Sequence, residues 1–143
     1  MSAEAFLDTN ILLYAIARDD PRTATAEALL ASGGVISVQV LNEFAAVARR
    51  KLGLSWDEIA EALSAIRALC GPVEPVTVEI HDTALRIAER QGYHVYDASI
   101  IATALQAQCR ILYSEDMQDG QTIDGLTIRN PFAGGLGLPG HDR

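Results

Sequence analysis

Positive charge is what this 143-residue chain has least of: one lysine, Lys51, and 11 basic residues against 19 acidic ones, for a formal charge of −8. A protein that grips nucleic acid by its backbone takes its phosphate contacts from Lys and Arg, so the balance argues against a simple polycationic binder. For such a chain to act on a polyanion, a divalent cation, a basic partner or a clustered arginine patch must offset its field locally. Cysteine is scarce as well. Cys70 and Cys109 stand far apart, with no C-x-x-C pattern and no neighbouring histidine, which excludes a disulfide scaffold or a thiolate zinc site and leaves two small core hydrophobes. His81, His94 and His141 have no second His or Cys at ligand spacing and read as surface or capping residues. No stretch approaches the roughly 18 uninterrupted apolar residues of a membrane span, and the first residues lack a basic, apolar, small-residue signal pattern. A cytoplasmic protein with no membrane association is expected.

What is present is enough for one folded unit: 49% of the residues are hydrophobic, in a chain of single-domain size. Glu4-Ala5-Phe6-Leu7-Asp8-Thr9-Asn10-Ile11-Leu12-Leu13 reads as a buried strand that delivers Asp8 to its end and turns at once into a buried helix over Ile11 to Ala17. Asp8 is also a good N-cap on its own account. Asp20-Pro21 then predicts the start of a second helix that ends at Gly33-Gly34, so that the first two helices form a hairpin. Val35 to Val38 is short and β-branched, and feeds a third helix with Leu41, Phe44, Ala45, Ala48 and Leu52 at helical spacing and Gly53 as its close.

Ser55-Trp56-Asp57-Glu58 is a capping box, with Trp56, Ile59, Ala60, Leu63, Ile66 and Leu69 forming an apolar face behind it. Gly71-Pro72 ends that helix, and Val73 to Val76 predicts a third strand before Thr77 opens a helix with Ile80, Ala84, Ile87 and Ala88 inward. Gly92 closes it, and Tyr93 to Asp97 leads into a small-residue helix over Ala98 to Ala107. Arg110 to Ser114 is a fourth strand, Glu115 to Gly120 a polar loop, and Leu126 to Ile128 an edge strand. From Asn130-Pro131 onward the chain carries four glycines and two prolines, so residues 133–143 read as a loose tail.

Short apolar strands alternating with helices indicate an α/β sandwich around a mostly parallel sheet of four or five strands. In that architecture each helix starts at the carboxyl edge of the sheet and the next strand climbs back to it, so the acids can be sorted by position. Asp8 ends a strand, Asp97 starts a helix, and Asp116 follows a strand end one helix and one strand later. Glu43 lies about 8 Å below the start of its helix, and Asp119 shares the loop of Asp116. Carboxylates converging at one edge repel by about 4 kcal/mol per pair at 4 Å and an effective dielectric near 20. Either some of them are protonated or a cation sits among them, and a set with oxygen donors only suits a hard ion, Mg²⁺ or Mn²⁺. Such an ion makes hydroxide from water and supports phosphodiester displacement.

Together, Phe6-Leu7-Asp8-Thr9-Asn10, Gln39-Val40-Leu41-Asn42-Glu43-Phe44, Tyr96-Asp97-Ala98 and Ser114-Glu115-Asp116-Met117-Gln118-Asp119-Gly120 resemble the PIN-domain ribonucleases, and within them the VapC toxins of toxin–antitoxin pairs. The resemblance extends to Asn130-Pro131-Phe132 and implies a PIN-like α/β/α sandwich over residues 1–132. It implies that Asp8, Glu43, Asp97 and Asp116 form an acidic quartet around Mg²⁺ or Mn²⁺, with Asp8, Asp97 and Asp116 the nearest ligands and Glu43 positioning a water on the ion. Thr9, Asn10 and Ser114 match positions that hold the carboxylates, with Asp119 in support. The implied activity is RNA cleavage, and the implied partners are a second copy of the chain and a VapB-type antitoxin that masks the site. The apolar helix over Ile11 to Ala17 is read either as docking surface for that antitoxin or as core, and Arg49-Arg50-Lys51 either as a phosphate contact or as a complement to the helix dipole. Two other functions stay open. A receiver-like phosphoacceptor would want a lysine beyond a late strand, where this chain has none, and a PIN scaffold without catalysis would serve as a protein-binding module.

Overall fold

The computed structural model describes residues 4–133, along which six short strands and six helices follow one another. β1 (Ala5–Leu7), β4 (Ile111–Tyr113) and β6 (Leu126–Arg129) run parallel, and β5 (Thr122–Ile123) joins β6 antiparallel, giving the order β1-β4-β6-β5. Register aligns Phe6 with Leu112 and Leu112 with Ile128, so one row of fully buried side chains crosses the three parallel strands. A two-stranded parallel pair, β2 (Ile36–Ser37) with β3 (Val73–Glu74), is tied to β1 by a single bridge between Phe6 and Val35. This is a mixed α/β structure with a central, mostly parallel sheet of four strands, as the resemblance implies.

The helices follow the sheet closely. α1 (Thr9–Ile16) leaves β1 without a loop and pairs with α2 (Thr23–Ala31), while α3 (Val38–Arg50) leaves β2 the same way with Ser37 as its cap. α4 (Trp56–Leu69) begins with the full capping box of Ser55 and Glu58. α5 (Val78–Gln91) opens on Thr77, closes on the left-handed Gly92, and packs along α6 (Val95–Gln106). In α6 every residue from Ala98 to Ala104 is buried, and the small residues Ala98, Ser99, Ala102 and Ala104 let its neighbours approach closely. At Gly34 an added Cβ would come within 2.6 Å of the Leu7 Cγ, so glycine is required there by contact rather than by backbone angle.

Several expectations are corrected. The third strand stops at Glu74, because Pro75 has no N–H to continue the ladder. Leu126 to Ile128 is not an edge: β6 lies between β4 and β5, and the edge is Thr122–Ile123, folded back by the Asp124-Gly125 turn with both residues at positive φ. α2 starts at Thr23 rather than at Pro21, since the Asp20 carboxylate accepts from the Arg22 N–H and holds a turn ahead of the helix. α6 starts three residues early, capped by the His94 ring. Trp56, Leu69 and Leu52 are exposed, not core, and the Trp56 ring lies beneath the Arg49 guanidinium at 4.9 Å. In α1, Ile11 and Leu12 are fully buried in the core, while Leu13 to Ile16 pack against it and stay partly exposed. Except for Ala133, the tail over residues 133–143 lies outside the described residues.

Candidate functional site

The end of β1 and the end of β4 are neighbours because the parallel register pairs Leu7 with Tyr113. The next residues, Asp8 and Ser114, therefore meet. The Ser114 hydroxyl donates to Asp8 Oδ2 at 2.7 Å, and the Thr9 N–H donates to Oδ1 at 2.6 Å, so Asp8 caps α1 while only 5% exposed at the sheet edge. Burial, above all, pushes its carboxyl up to about 6. The bonds from Ser114 and Thr9 pull it back, and the charges of Asp97 and Glu43 add to the rise.

The other acids arrive from separate elements. Glu43, the sixth residue of α3, has both oxygens held: Thr9 Oγ1 donates to one at 2.7 Å and Gln39 Nε2 to the other at 2.9 Å. Gln39 also donates to the Tyr96 carbonyl at 3.1 Å, which ties α3 to the first turn of α6 where Asp97 sits. Asp116, on the loop after β4, accepts from Asn10 Nδ2 at 2.5 Å. Among the described residues no group donates a hydrogen bond to Asp97. Its carboxyl is raised by burial first and then by the charges of Asp116 and Glu43, with His94 opposing. Asp8, Glu43, Asp97 and Asp116 all line one cavity of about 290 Å³, together with Thr9, Asn10, Leu13, Ala46, Val47, Arg50 and Lys51.

Of the residues singled out in the sequence, Asp119 stands apart. Its carboxylate accepts from the Asn130 N–H at 2.9 Å, joining the loop to the chain after β6, and it does not line the cavity. The sequence reading also missed a clamp behind Asp116. Glu115 accepts from the Tyr14 hydroxyl and from Arg22 Nη1 at 2.9 Å, and Arg22 in turn is paired with Asp20 at 3.0 Å and lies over the Tyr14 ring at 3.9 Å. The bond to Asp20 and burial act in opposite directions on Arg22, and the net effect is to strengthen its hold on its proton. Nothing local in the sequence announces contacts between residues about a hundred positions apart. Gln39 was legible, since it stands one helical turn before Glu43.

The donor set is one of oxygens alone, and the lone pairs of Asp97 and Asp116 are largely unspent. Among the described residues no three His, Cys, Asp or Glu side chains are grouped tightly enough to enclose an ion unaided. Mg²⁺ does not ask for that, because it is commonly held through one or two carboxylates and keeps several waters. The residues fit a hard divalent cation bound in this open manner.

A parallel sheet flanked by helices, with acids gathered where β1, α3, α6 and the β4 loop meet, is the arrangement of the PIN domain. The PIN domain family model matches residues 5–118, and the chain belongs to that family. Among solved structures it is similar to VapC20 of Mycobacterium tuberculosis, described as a toxin cleaving the sarcin–ricin loop, with 28% identity over 78% of this chain and 89% of that one and a TM-score of 0.63. A toxin–antitoxin complex from Klebsiella pneumoniae shares the fold at 20% identity and a TM-score of 0.68, over 90% of this chain and 98% of that one. So does VapBC2 of Rickettsia felis, solved with a DNA fragment from its promoter, at 20% identity and a TM-score of 0.64, over 88% and 97% of the two chains. No curated protein sequence matches the chain.

Proposed function

We propose that this chain is an endoribonuclease dependent on Mg²⁺ or Mn²⁺, the VapC-like toxin of a toxin–antitoxin pair, acting on RNA in the cytoplasm. The observation that carries the reading is the convergence of Asp8, Glu43, Asp97 and Asp116 on one cavity of a PIN fold. The similarity to a toxin that cleaves an RNA loop supports the substrate class.

In this reading Asp8, Asp97 and Asp116 would hold the ion, in part through its waters rather than by direct contact of all three, and the ion when bound acidifies water and offsets charge building on the phosphodiester. Asp8 is the fixed member, since Thr9 and Ser114 leave its carboxylate one orientation. Asn10 donates to Asp116 and restrains its carboxylate. Glu43, held by Thr9 and Gln39, orients the attacking water and can take up its proton.

The partners proposed are a VapB-type antitoxin and a second copy of the chain. Toxin–antitoxin complexes among the structural neighbours support the first. Exposed Val38, Val76 and Tyr96, which line an apolar groove that shares Glu43 with the acid cavity, support a partner surface beside the site. No described helix is long and apolar enough to cross a membrane.

The test is cleavage of total RNA by the purified chain with Mg²⁺ or Mn²⁺, with cut sites mapped from new 5′ ends. Asp97→Asn and Asp116→Asn are each expected to lower the rate at least a hundredfold, on the order of the loss of a charge-stabilising group. Full activity in both variants would sink the proposal. Metal binding without any RNA cut would favour the non-catalytic PIN scaffold.

A further inference from the structure

The three bases that end α3 do not share one environment. Arg49 is occupied: it donates to the Leu54 carbonyl at 3.0 Å and its guanidinium lies over the Trp56 ring. Arg50 and Lys51 are exposed, and among the described residues neither side chain makes a hydrogen bond or ion pair. Both line the cavity of the four acids. The helix makes this so. Glu43, Ala46, Val47 and Arg50 fall on successive turns of one face, which places Arg50 about 10 Å along α3 from Glu43 at 1.5 Å per residue. Between the two charged ends, Leu13, Ala46 and Val47 supply an apolar floor.

We infer that Arg50 and Lys51 form a phosphate seat for single-stranded RNA, gripping a backbone phosphate next to the one at the acids. The inference rests on the nuclease reading of the cavity. Complementing the helix dipole accounts for bases in the last turn, but not for two free cations opening into an acid-lined cavity. An ion among the carboxylates offsets the charge of the phosphate beside it, and cations are still needed to hold the adjoining stretch of a polyanion against a net acidic surface. In a chain of charge −8, these two side chains are the cations the cavity offers. Any ligand that reaches them through the cavity also runs along the acids, which suits a continuous backbone better than an isolated acidic side chain.

The decisive measurement is binding of a fluorescent single-stranded RNA to the full chain in Mg²⁺ across a salt series, with cleavage kinetics beside it. The Arg50→Gln/Lys51→Gln pair is expected to weaken binding on the order of tenfold. It should also reduce the slope of log K against log salt by about 0.7, the value for the one single-strand phosphate that the pair no longer neutralises. kcat should stay near wild type while KM rises, because a neighbouring phosphate is held equally before and at the transition state. Arg50→Lys should keep the slope. Arg67→Gln, at the end of α4 and away from the cavity, controls for the loss of a surface cation elsewhere and should change little. Thermal melts check that each variant folds.

An unchanged slope in the double variant, or an equal change in Arg67→Gln, overturns the inference. So does a loss confined to capture of an acidic protein partner with RNA binding intact. If the wild type binds RNA yet cuts none, the nuclease reading fails on that result alone, and the salt slopes still decide the seat.

Discussion

Asp8→Asn is expected to abolish cleavage and at the same time to make the metal-free chain more stable. Asp8 is buried, and its carboxyl is raised from an ordinary 3.8 to about 6. At this residue the folded chain therefore binds more proton than the unfolded one across that interval. The contribution of Asp8 to stability is greatest below pH 4 and is lost as pH rises through 6. At 1.36 kcal/mol per pKa unit, the ionised side chain costs the fold about 3 kcal/mol at pH 7 and above. Asparagine has nearly the same shape, still accepts from the Thr9 N–H, and carries no charge, so it escapes most of this cost. Urea unfolding in EDTA should show the variant more stable by about 2 kcal/mol at pH 7.5 and by little at pH 4, with part of the gain spent on reorienting Ser114. Added Mn²⁺ should then stabilise the wild type by about 1.4 kcal/mol for each tenfold excess over Kd and the variant by less. A variant that is destabilised at pH 7.5, or a difference that does not change with pH, would refute the account of Asp8 as a carboxylate held against its own solvation.

Ser114→Ala removes a donor that lowers the Asp8 carboxyl, so Asp8 should titrate still higher and the chain should lose about 2 kcal/mol near pH 7, read by urea melts. Glu115→Gln breaks the pairing with Arg22 and should lower the cleavage rate several-fold by loosening the Asp116 loop, at a stability cost of about 1 kcal/mol because the pair is part-exposed. If kcat and metal affinity are both unchanged, the clamp does not position Asp116. Gly34→Ala forces a Cβ to within 2.6 Å of the Leu7 side chain and should destabilise the fold by about 1–3 kcal/mol, with Tm as the check.

Much of the site was legible because it is built at joints between elements. Asp8 at a strand-to-helix turn, Asp97 near a helix start and Asp116 after a strand end follow from the alternation of short apolar strands with helices, and the parallel sheet then brings them to one edge. Thr9, Asn10 and Ser114 belong to the same joints, and each donates to a carboxylate. The edge hairpin went unread although its Asp124-Gly125 signal was present, because strands of two residues are too short to show alternation.

Caps and turns could be read from the chain alone, since the groups that satisfy one another lie within a few residues: Ser55 with Glu58, Thr77 with Ile80, the left-handed Gly92. Tertiary structure alone decided which charges are held and which are free. Glu115 meets Arg22 across 93 positions, Arg49 turns to Trp56, and Arg50 and Lys51 are left facing the acids. It also decided the titration of Asp8, because desolvation depends on everything packed around a carboxylate rather than on its neighbours in sequence.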